Sequence, residues 1–432
     1  MKKTRICLII TSLLLVCVMS INLIGCTAEE EPKSQPESQS GSQPESMMDG
    51  ITPNEVDVID DLGMHNADVT DFAIRLFKAN YENGENTLIS PLSVLCALAM
   101  TTNGAEGETQ AQMETVLGIT AKELNPYLYS YMSKLSQGDT YKLHLANSIW
   151  FADKDSFSIN PDFLQLNADY YGADIYKAPF DNQTCNNINN WVKEKTDGMI
   201  PEIVDAIPKD AIMYLINALS FDAEWAETYE DSYDDIFTKE DGTEQNAEFM
   251  FSVESTYLED EKATGFIKYY DDGKYAFVAL LPNEGISVSE YIDFLNGDSL
   301  YALLTNPQKL SVEAELPKFE TGYDTEMSDT LKAMGMPKAF DSANAEFGKL
   351  GSSGENNIFI SRVLHKTFIS VAENGTKAGA ATAVEMNECA ALPEEDPVEY
   401  KKVILNRPFV YMLIDCENNI PFFIGTMMDI EG

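Results

Sequence analysis

The spacing of apolar residues predicts helices in three parts of the chain. Residues 66–81 carry apolar side chains on one helical face, at Ala67, Phe72, Ala73, Leu76 and Phe77. Further on, Ser90 and Pro91 precede an apolar run at 94–100, which predicts a helix that Ser90 caps and the proline begins. Residues 329–340 predict a third helix, which ends at the Gly-Met-Pro sequence of residues 335–337.

Other stretches show the two-residue period or the continuous apolar character of β-strands. In residues 310–319, Val312, Ala314 and Leu316 alternate with acidic or hydroxyl side chains. Residues 275–282 are mostly apolar, as in a strand that is buried on both faces. Strand-like runs also occupy residues 143–151, 213–225, 366–372, 408–414 and 421–427. Because helices and strands follow one another in mixed order, we expect an α+β domain.

Residues 373–392 combine features of helix, loop and strand. Alanine is frequent there and favours helix, but Gly375 and Gly379 interrupt it. If the segment is a strand, one face carries Thr376, Ala378, Ala380, Thr382, Val384 and Met386, and the other carries Lys377, Gly379, Ala381, Ala383 and Glu385. The first face carries no charged side chain, so its burial would not remove a charge from water. The segment can therefore lie exposed as a loop and also enter a sheet as a strand.

Several motifs together resemble the serpin family of serine protease inhibitors. The sequence Glu-x-Gly-Thr-x-Ala-x-Ala-Ala-Thr at 373–382, followed by Asn-Arg-Pro-Phe-Val at 406–410, is similar to the family's reactive-loop hinge and the strand after it. Further matches lie at residues 90–93, 101–117, 146–150, 189–201 and 213–225. The resemblance covers about residues 67–428 and implies the serpin fold: a large mixed central β-sheet, two smaller sheets, about eight to nine helices and an exposed reactive loop at about residues 373–404.

This resemblance implies a suicide-substrate inhibitor. In serpins, a serine protease cuts the exposed loop, and the freed segment inserts into the central sheet before the acyl-enzyme hydrolyses, which releases stored strain. The hinge then consists of Gly375, Thr376, Lys377, Ala378, Gly379, Ala380, Ala381 and Thr382. Charged or bulky residues on the inserting face would slow insertion. The small side chains of this hinge therefore predict an irreversible inhibitor of serine proteases, with cysteine proteases as further targets.

The resemblance also assigns supporting residues around the central sheet. A hydrogen-bonded network that governs sheet opening corresponds to Ser90, Ser93, Asn217 and His365. The top of the opening corresponds to Trp225 and to an ion pair between Lys318 and Glu373. Purely structural interpretations of these residues also stay open. His365 can be a core histidine whose hydrogen bonds are all made, and Lys318 and Glu373 can be a surface ion pair that adds little stability.

The bond that a protease would cut is not determined by the sequence. The family's usual interval from Glu373 places the cut after Cys389, but the loop is about eight residues longer than the common pattern on its C-terminal side. The candidates for the residue before the cut are Met386, Cys389, Ala390, Ala391 and Leu392. None is basic, so trypsin-like targets are not expected. A protease with a small apolar pocket, elastase-like or subtilisin-like, fits better.

Composition excludes several other functions. The chain has 432 residues and a formal net charge of −42, so we expect no nucleic-acid partner and no attraction to anionic lipid by charge. It has three histidines and lacks the common hydrolase, phosphate-loop and zinc-protease motifs. We therefore expect no enzyme activity, no cofactor and no metal site, and a monomer. Two alternatives stay open: a non-inhibitory serpin-fold binding protein, and an acidic hydrolase whose catalytic carboxylates the sequence does not reveal.

The N-terminal residues predict export. A basic start is followed by an apolar run at 6–24, as in secretory signals. Leu-Ile-Gly-Cys at 23–26 resembles the lipobox of bacterial lipoproteins, which predicts a signal peptide at 1–25, lipidation of Cys26 and an extracytoplasmic, surface-anchored or secreted protein. An uncleaved membrane helix is the alternative. Residues 26–54 are rich in Glu, Ser, Gln and Pro and predict a disordered tether before a domain at 55–432.

The cysteines do not form a metal-binding or disulfide pattern. Apart from those in residues 1–26, they lie at Cys96, Cys185, Cys389 and Cys416, and no pair has C-x-x-C spacing. Cys96 and Cys416 lie in apolar surroundings and are expected to be buried thiols.

Overall fold

The computed structural model describes residues 43–135, 140–154, 157–354, 357–377 and 400–431. Within these ranges the chain forms nine α-helices. They are α1 Gly63–Asn80, α2 Pro91–Thr102, α3 Gly107–Leu117, α4 Ala121–Lys134, α5 Pro161–Tyr171, α6 Asn182–Lys195, α7 Val288–Phe294, α8 Gly297–Thr305 and α9 Ser328–Met334. The three helices predicted from the sequence are α1, α2 and α9, and a 3₁₀ turn at Pro337–Phe340 follows α9.

The same ranges contain nineteen β-strands. They are β1 Glu45–Ser46, β2 Thr87–Ile89, β3 Tyr141–Ala152, β4 Ser158–Ile159, β5 Asp174–Ala178, β6 Met213–Glu224, β7 Ser232–Thr238, β8 Glu244–Glu254, β9 Tyr257–Glu259, β10 Ala263–Tyr269, β11 Tyr275–Pro282, β12 Val312–Pro317, β13 Phe319–Glu326, β14 Gly351–Ser352, β15 Arg362–Ala372, β16 Gly375–Lys377, β17 Lys401–Ile404, β18 Phe409–Asp415 and β19 Ile420–Met427.

The strands form one large sheet and three smaller ones. The central sheet has seven strands in the order β1-β5-β3-β6-β16-β15-β13 and is mixed, because β3 pairs with β5 in parallel while β3 and β6 are antiparallel. A six-stranded sheet follows the order β2-β19-β18-β11-β10-β9, and a four-stranded sheet the order β17-β12-β8-β7. Strands β4 and β14 form a separate pair.

Helix α2 lies in the core between the central and the six-stranded sheets. It contacts β3 and β6 on one side and β19 on the other, and all of its residues are buried. The predicted cap is confirmed, since the Ser90 hydroxyl accepts a hydrogen bond from the Ser93 N–H at 3.3 Å. The helix is apolar all round because both of its faces are covered.

The half-buried strand predicted at residues 310–319 is confirmed as β12, and only its C-terminal end is corrected, because Phe319 begins a second strand, β13. Strand β12 belongs to the four-stranded sheet and β13 to the central sheet, with Lys318 between them. The alternation of buried side chains shifts by one position at this corner, because Val312, Ala314 and Leu316 are buried in β12 whereas Phe319 and Thr321 are buried in β13. Lys318 therefore lies at the junction of the four-stranded sheet and the central sheet.

The end of the predicted tether is part of the folded domain. Strand β1 pairs with β5 at the edge of the central sheet, and Met47 N–H donates to the Ile175 carbonyl at 2.8 Å. Met47, Met48 and Ile51 pack against the core. The predicted start of the folded domain at residue 55 is therefore corrected. The free edge of β5 pairs with the extended segment β1, and the apolar side chains that follow β1 are partly buried against the core. The predicted signal peptide, Cys26 and the start of the tether lie outside the described residues.

None of the helices in the described ranges has the length and apolar character needed to cross a bilayer.

Candidate functional site

The central sheet is open between β6 and β15. Low in the sheet these strands pair directly in parallel, from Arg362 opposite Tyr214 to Lys366 opposite Ala218. At the top, β16 lies between them and pairs with both. In between, residues 219–221 of β6 and 367–370 of β15 pair with no described strand on their facing edges. Unpaired strand edges of this kind accept an added strand.

The first residues of the predicted hinge already occupy this opening. Strand β16 places Thr376 opposite Ala223 on one side and Val371 on the other, and the Thr376 side chain is 1% exposed. Gly375 fits because it has no side chain, since a Cβ there would be 2.0 Å from the Ala223 carbonyl oxygen. The family resemblance predicts an exposed loop from about residue 373. The structure corrects that boundary, because residues 375–377 and 401–404 are strands.

Trp225, the residue after β6, holds the turn that precedes the hinge. Its indole N–H donates to the Ala372 carbonyl at 2.8 Å, and its backbone N–H donates to the Asn374 carbonyl at 2.9 Å. The Tyr229 N–H donates to the Glu373 carbonyl at 3.0 Å. Three carbonyls of one short turn are thus bound by a single segment of chain, which fixes the direction in which the hinge enters the sheet.

Lys318 and Glu373 form the predicted ion pair, with Nζ and Oε1 2.7 Å apart. The Lys318 ammonium also lies 2.8 Å from Glu248 Oε2, a partner that the sequence did not suggest. Burial is the largest influence on the pKa of Glu373 and would raise it, but the hydrogen bond and charge of Lys318 together with a backbone hydrogen bond hold that pKa below its usual value. Burial would likewise lower the pKa of Lys318, and its two carboxylate partners hold it above the usual value instead.

An aromatic cluster that the sequence motifs did not predict lies beside the hinge. The rings of Tyr270 and Trp225 stack with centroids 4.4 Å apart, and the Tyr270 hydroxyl is hydrogen-bonded to the Thr376 hydroxyl. Lys268, which is 2% exposed, lies 4.2 Å from the Tyr229 ring centroid and 3.0 Å from Glu254 Oε1. A lysine within an otherwise apolar strand was the signal available, because a buried ammonium requires partners of this kind.

The predicted network lies where β6 and β15 pair directly. The Ser90 N–H donates to His365 Nε2 at 3.1 Å, so Nε2 carries the lone pair and Nδ1 carries the proton. The Nδ1–H therefore donates to Asn217 Oδ1, at 2.5 Å. His365 is fully buried, and burial lowers its pKa to about 3, which keeps the ring neutral. Ser93 joins through its N–H, while its hydroxyl has no described partner.

The remaining predicted residues lie outside the described residues. They are Ala378, Gly379, Ala380, Ala381 and Thr382 of the hinge, and the scissile-bond candidates Met386, Cys389, Ala390, Ala391 and Leu392. The Lys377 side chain is also not described, although its backbone is part of β16.

The described residues offer few of the groups that metal or thiol chemistry requires. They contain no group of three or more His, Cys, Asp or Glu side chains placed to bind a metal ion. Cys96, Cys185 and Cys416 are free thiols, and burial raises the pKa of each, to about 12 for Cys416. Thiols with such high pKa values are poor nucleophiles at neutral pH.

Comparison with known proteins gives one consistent answer. The family model described as Serpin (serine protease inhibitor) matches residues 67–430. Human Serpin B8 is 32% identical over 372 residues, which cover 82% of this chain and 96% of that protein. Human leukocyte elastase inhibitor is 29% identical over 377 residues, which cover 82% of this chain and 97% of that protein.

The solved structures separate two conformations. The native state of tengpin, a thermophilic serpin, has a TM-score of 0.84 at 48% identity and covers 90% of this chain and 100% of its own. The latent state of tengpin has a TM-score of 0.75 at 45% identity, covering 88% and 100%. The described fold is thus more similar to the native form. With the family model spanning nearly the whole described domain, the chain belongs to the serpin family.

Proposed function

We propose that this protein is an irreversible suicide-substrate inhibitor of serine endopeptidases. The proposal rests on the opening between β6 and β15. This opening is wide enough for one strand, and the first three hinge residues already pair with β6 there. A protease would cut the loop beyond this hinge. The freed segment would then continue into the opening as a new strand of the central sheet, and the acylated protease would move with it.

The register of β16 predicts where each inserting residue goes. Gly375, Thr376 and Lys377 face Glu224, Ala223 and Asp222, so each further residue would face the preceding residue of β6. If this register continued downward on both sides, Thr382 would come to lie between Asn217 and His365. Insertion would therefore have to break the hydrogen bond between these two side chains, and the Thr382 hydroxyl would arrive where the bond was.

The same register supports an inhibitory hinge. On insertion as a strand, residues 378, 380 and 382, which are Ala, Ala and Thr, would share the face of Thr376, which is buried in the core. None would bring a charge into the protein interior. Insertion can then compete with hydrolysis of the acyl-enzyme, which is the requirement for trapping a protease.

The length of the opening bears on the scissile bond. By the same register, Glu385 would reach Arg362, where β15 begins, and Met386 would reach Met213, where β6 begins. A protease attached at Met386 would have no chain beyond the sheet. The proposal therefore favours Cys389, Ala390, Ala391 or Leu392 before the cut. All are small or apolar, which favours an elastase-like or subtilisin-like target, as the name of the human leukocyte elastase inhibitor also suggests.

A paired substitution tests the inhibitory function. The full chain would be incubated with an elastase-like and a trypsin-like protease and examined by denaturing gel and mass spectrometry. We expect a covalent complex with the elastase-like enzyme and a new N-terminus between residues 390 and 393. Ala380→Arg places a charge on the inserting face and should convert the protein into a substrate. Ala381→Arg makes the same change on the other face and should preserve the complex.

The opposite result has a definite meaning. If every protease tried cuts the loop without forming a complex, inhibition is excluded for those proteases and the non-inhibitory binding function takes its place. If both arginine variants still form the complex, the face assignment is wrong even though the inhibition is right.

We further propose that Cys26 anchors the domain to the outer face of a bacterial membrane. Between residue 26 and the first described residue, 43, an extended chain reaches at most about 60 Å. The loop would then meet proteases outside the cell. Labelling cells with a tagged fatty acid should mark the wild-type protein, and Cys26→Ala should remove the label. A Cys26→Ala variant that keeps the label would exclude lipidation at this residue.

A further inference from the structure

The Tyr270 and Thr376 hydroxyls meet at the point where the hinge enters the sheet. Tyr270 follows β10 and is fully buried, and Thr376 is the middle residue of β16. The Tyr270 ring is fixed from two sides, by the stack with Trp225 and by an edge contact with Phe221 at a centroid distance of 5.0 Å. Because the ring cannot turn away, its hydroxyl has one fixed position, and Thr376 occupies the matching place in the opening.

Withdrawal of Thr376 from the sheet would break this contact. Desolvation by burial raises the pKa of Tyr270 well above its usual value, so the hydroxyl stays protonated and needs a partner in the protein interior. A buried hydroxyl that loses its partner keeps its desolvation penalty, which favours the inserted position of Thr376. The contact thus acts on the equilibrium between a hinge inside the sheet and one outside it.

We propose that Tyr270 is a positioning residue that keeps the hinge inserted and thereby sets how the cut loop divides between insertion and hydrolysis. The inference rests on the proposed inhibitory function. When residues 375–377 are already paired in the sheet, the following residues can add to an existing strand. A hinge that is free in solution must first lose conformational entropy to form these pairs. Hydrolysis of the acyl-enzyme occurs on the protease and is not affected by Tyr270. Removing the contact between Tyr270 and Thr376 should loosen the hinge and therefore lower the fraction of cut inhibitor molecules that trap a protease.

Four variants of the full chain separate this role from general stability. Tyr270→Phe removes the hydroxyl and keeps the ring stack, and Thr376→Val removes the opposite hydroxyl with little change in shape. Thr376→Ser restores a hydroxyl and serves as the rescue. Tyr411→Phe is the matched control, because Tyr411 is also fully buried in the same region but its hydroxyl has no described partner.

The first measurement is the number of molecules cut without trapping, per complex formed, with one protease. This ratio should rise about fivefold in Tyr270→Phe and in Thr376→Val, the change expected from one buried hydrogen bond. The double variant should show no further increase, because both changes remove the same bond. Thr376→Ser and Tyr411→Phe should match the wild type. A wild-type ratio in Tyr270→Phe, even with a lower melting temperature, would overturn the proposal.

The second measurement needs no protease. Hydrogen exchange at the amides of residues 375–377 should be about fivefold faster in Tyr270→Phe than in the wild type or in Tyr411→Phe. If no protease is trapped by the wild type but exchange increases, the inhibitory function fails while the positioning of the hinge stands. If complexes form and exchange is unchanged in Tyr270→Phe, the positioning role is wrong and the inhibitory function stands.

Discussion

The two ends of the opening between β6 and β15 are closed by different means. At the upper end the loop itself fills the gap as β16, held by Trp225, Tyr270 and a partly exposed ion pair. At the lower end the strands pair directly, and a fully buried neutral network of Ser90, Asn217 and His365 holds them. The upper closure uses the segment that inserts, while the lower one must be undone. In the proposed mechanism, the upper end would therefore start insertion and the lower end would oppose it.

Under the proposed inhibitory mechanism, this difference would give a metastable native state a physical basis. The unpaired edges in the middle of the opening expose backbone donors and acceptors that a further strand would satisfy. The lower network delays that gain, because its hydrogen bonds must break before residues 381–386 can enter. Substitutions at the two ends should consequently have opposite effects on insertion.

The largest effect is expected at the lower end. Asn217→Ala leaves the buried His365 Nδ1–H without its acceptor and removes packing, for a loss of roughly 3 kcal/mol of native-state stability. The urea midpoint should fall, and uncut protein should convert faster to an inserted, urea-resistant form on mild warming. Ser370→Ala on β15, the strand that carries His365, removes only an exposed hydrogen bond to Glu320 and should change stability by less than about 0.5 kcal/mol. Equal effects of the two substitutions would contradict the role of the network.

Acid should weaken the same end. The pKa of His365 is lowered by burial from 6.5 to about 3, so between these values the unfolded chain binds a proton that the native state does not. Stability from this group is complete above pH 6.5 and is lost as pH falls toward 3, by roughly 2 kcal/mol near pH 5. His365→Gln, which cannot titrate, is the control. Unfolding midpoints of the wild type and the variant should diverge below pH 6.5, and parallel pH curves would exclude this effect.

The sequence predicted the elements of this comparison better than their arrangement. The cap at Ser90, the strand at 275–282 and the pairing of Lys318 with Glu373 followed from local pattern or family resemblance. The insertion of residues 375–377 and the contact between Tyr270 and Thr376 did not, because they join segments more than a hundred residues apart. The corner at Lys318 was missed, although the buried positions shift from even to odd numbers there, between Leu316 and Phe319.

At the upper end, the most specific test is at Gly375, where the backbone of the hinge lies close to the backbone of β6. Gly375→Ala places a Cβ 2.0 Å from the Ala223 carbonyl, so β16 must shift or leave the sheet, at a cost of about 1–2 kcal/mol. Hydrogen exchange at residues 375–377 should accelerate, and protease cleavage near the hinge should become faster. Gly322→Ala on β13 is the matched control, because the nearest atom to its added Cβ lies 3.6 Å away. An unchanged exchange rate in Gly375→Ala would mean that the hinge is not held between β6 and β15.

The ion pair of Lys318 should have the smallest effect. The Lys318 and Glu373 side chains are 26% and 31% exposed, so Lys318→Met should cost at most about 1 kcal/mol and less at high salt. Since the pKa values of Glu373 and Glu248 are lowered, this stability is present above their usual value of 4.5 and is lost as pH falls through the lowered values. The difference between wild type and variant in urea unfolding should therefore shrink in acid. Lys332→Met, which breaks the more exposed pair with Asp329, should have almost no effect at either pH. A Lys318→Met loss as large as that of Asn217→Ala would place the main barrier to insertion at the upper end and reverse the comparison.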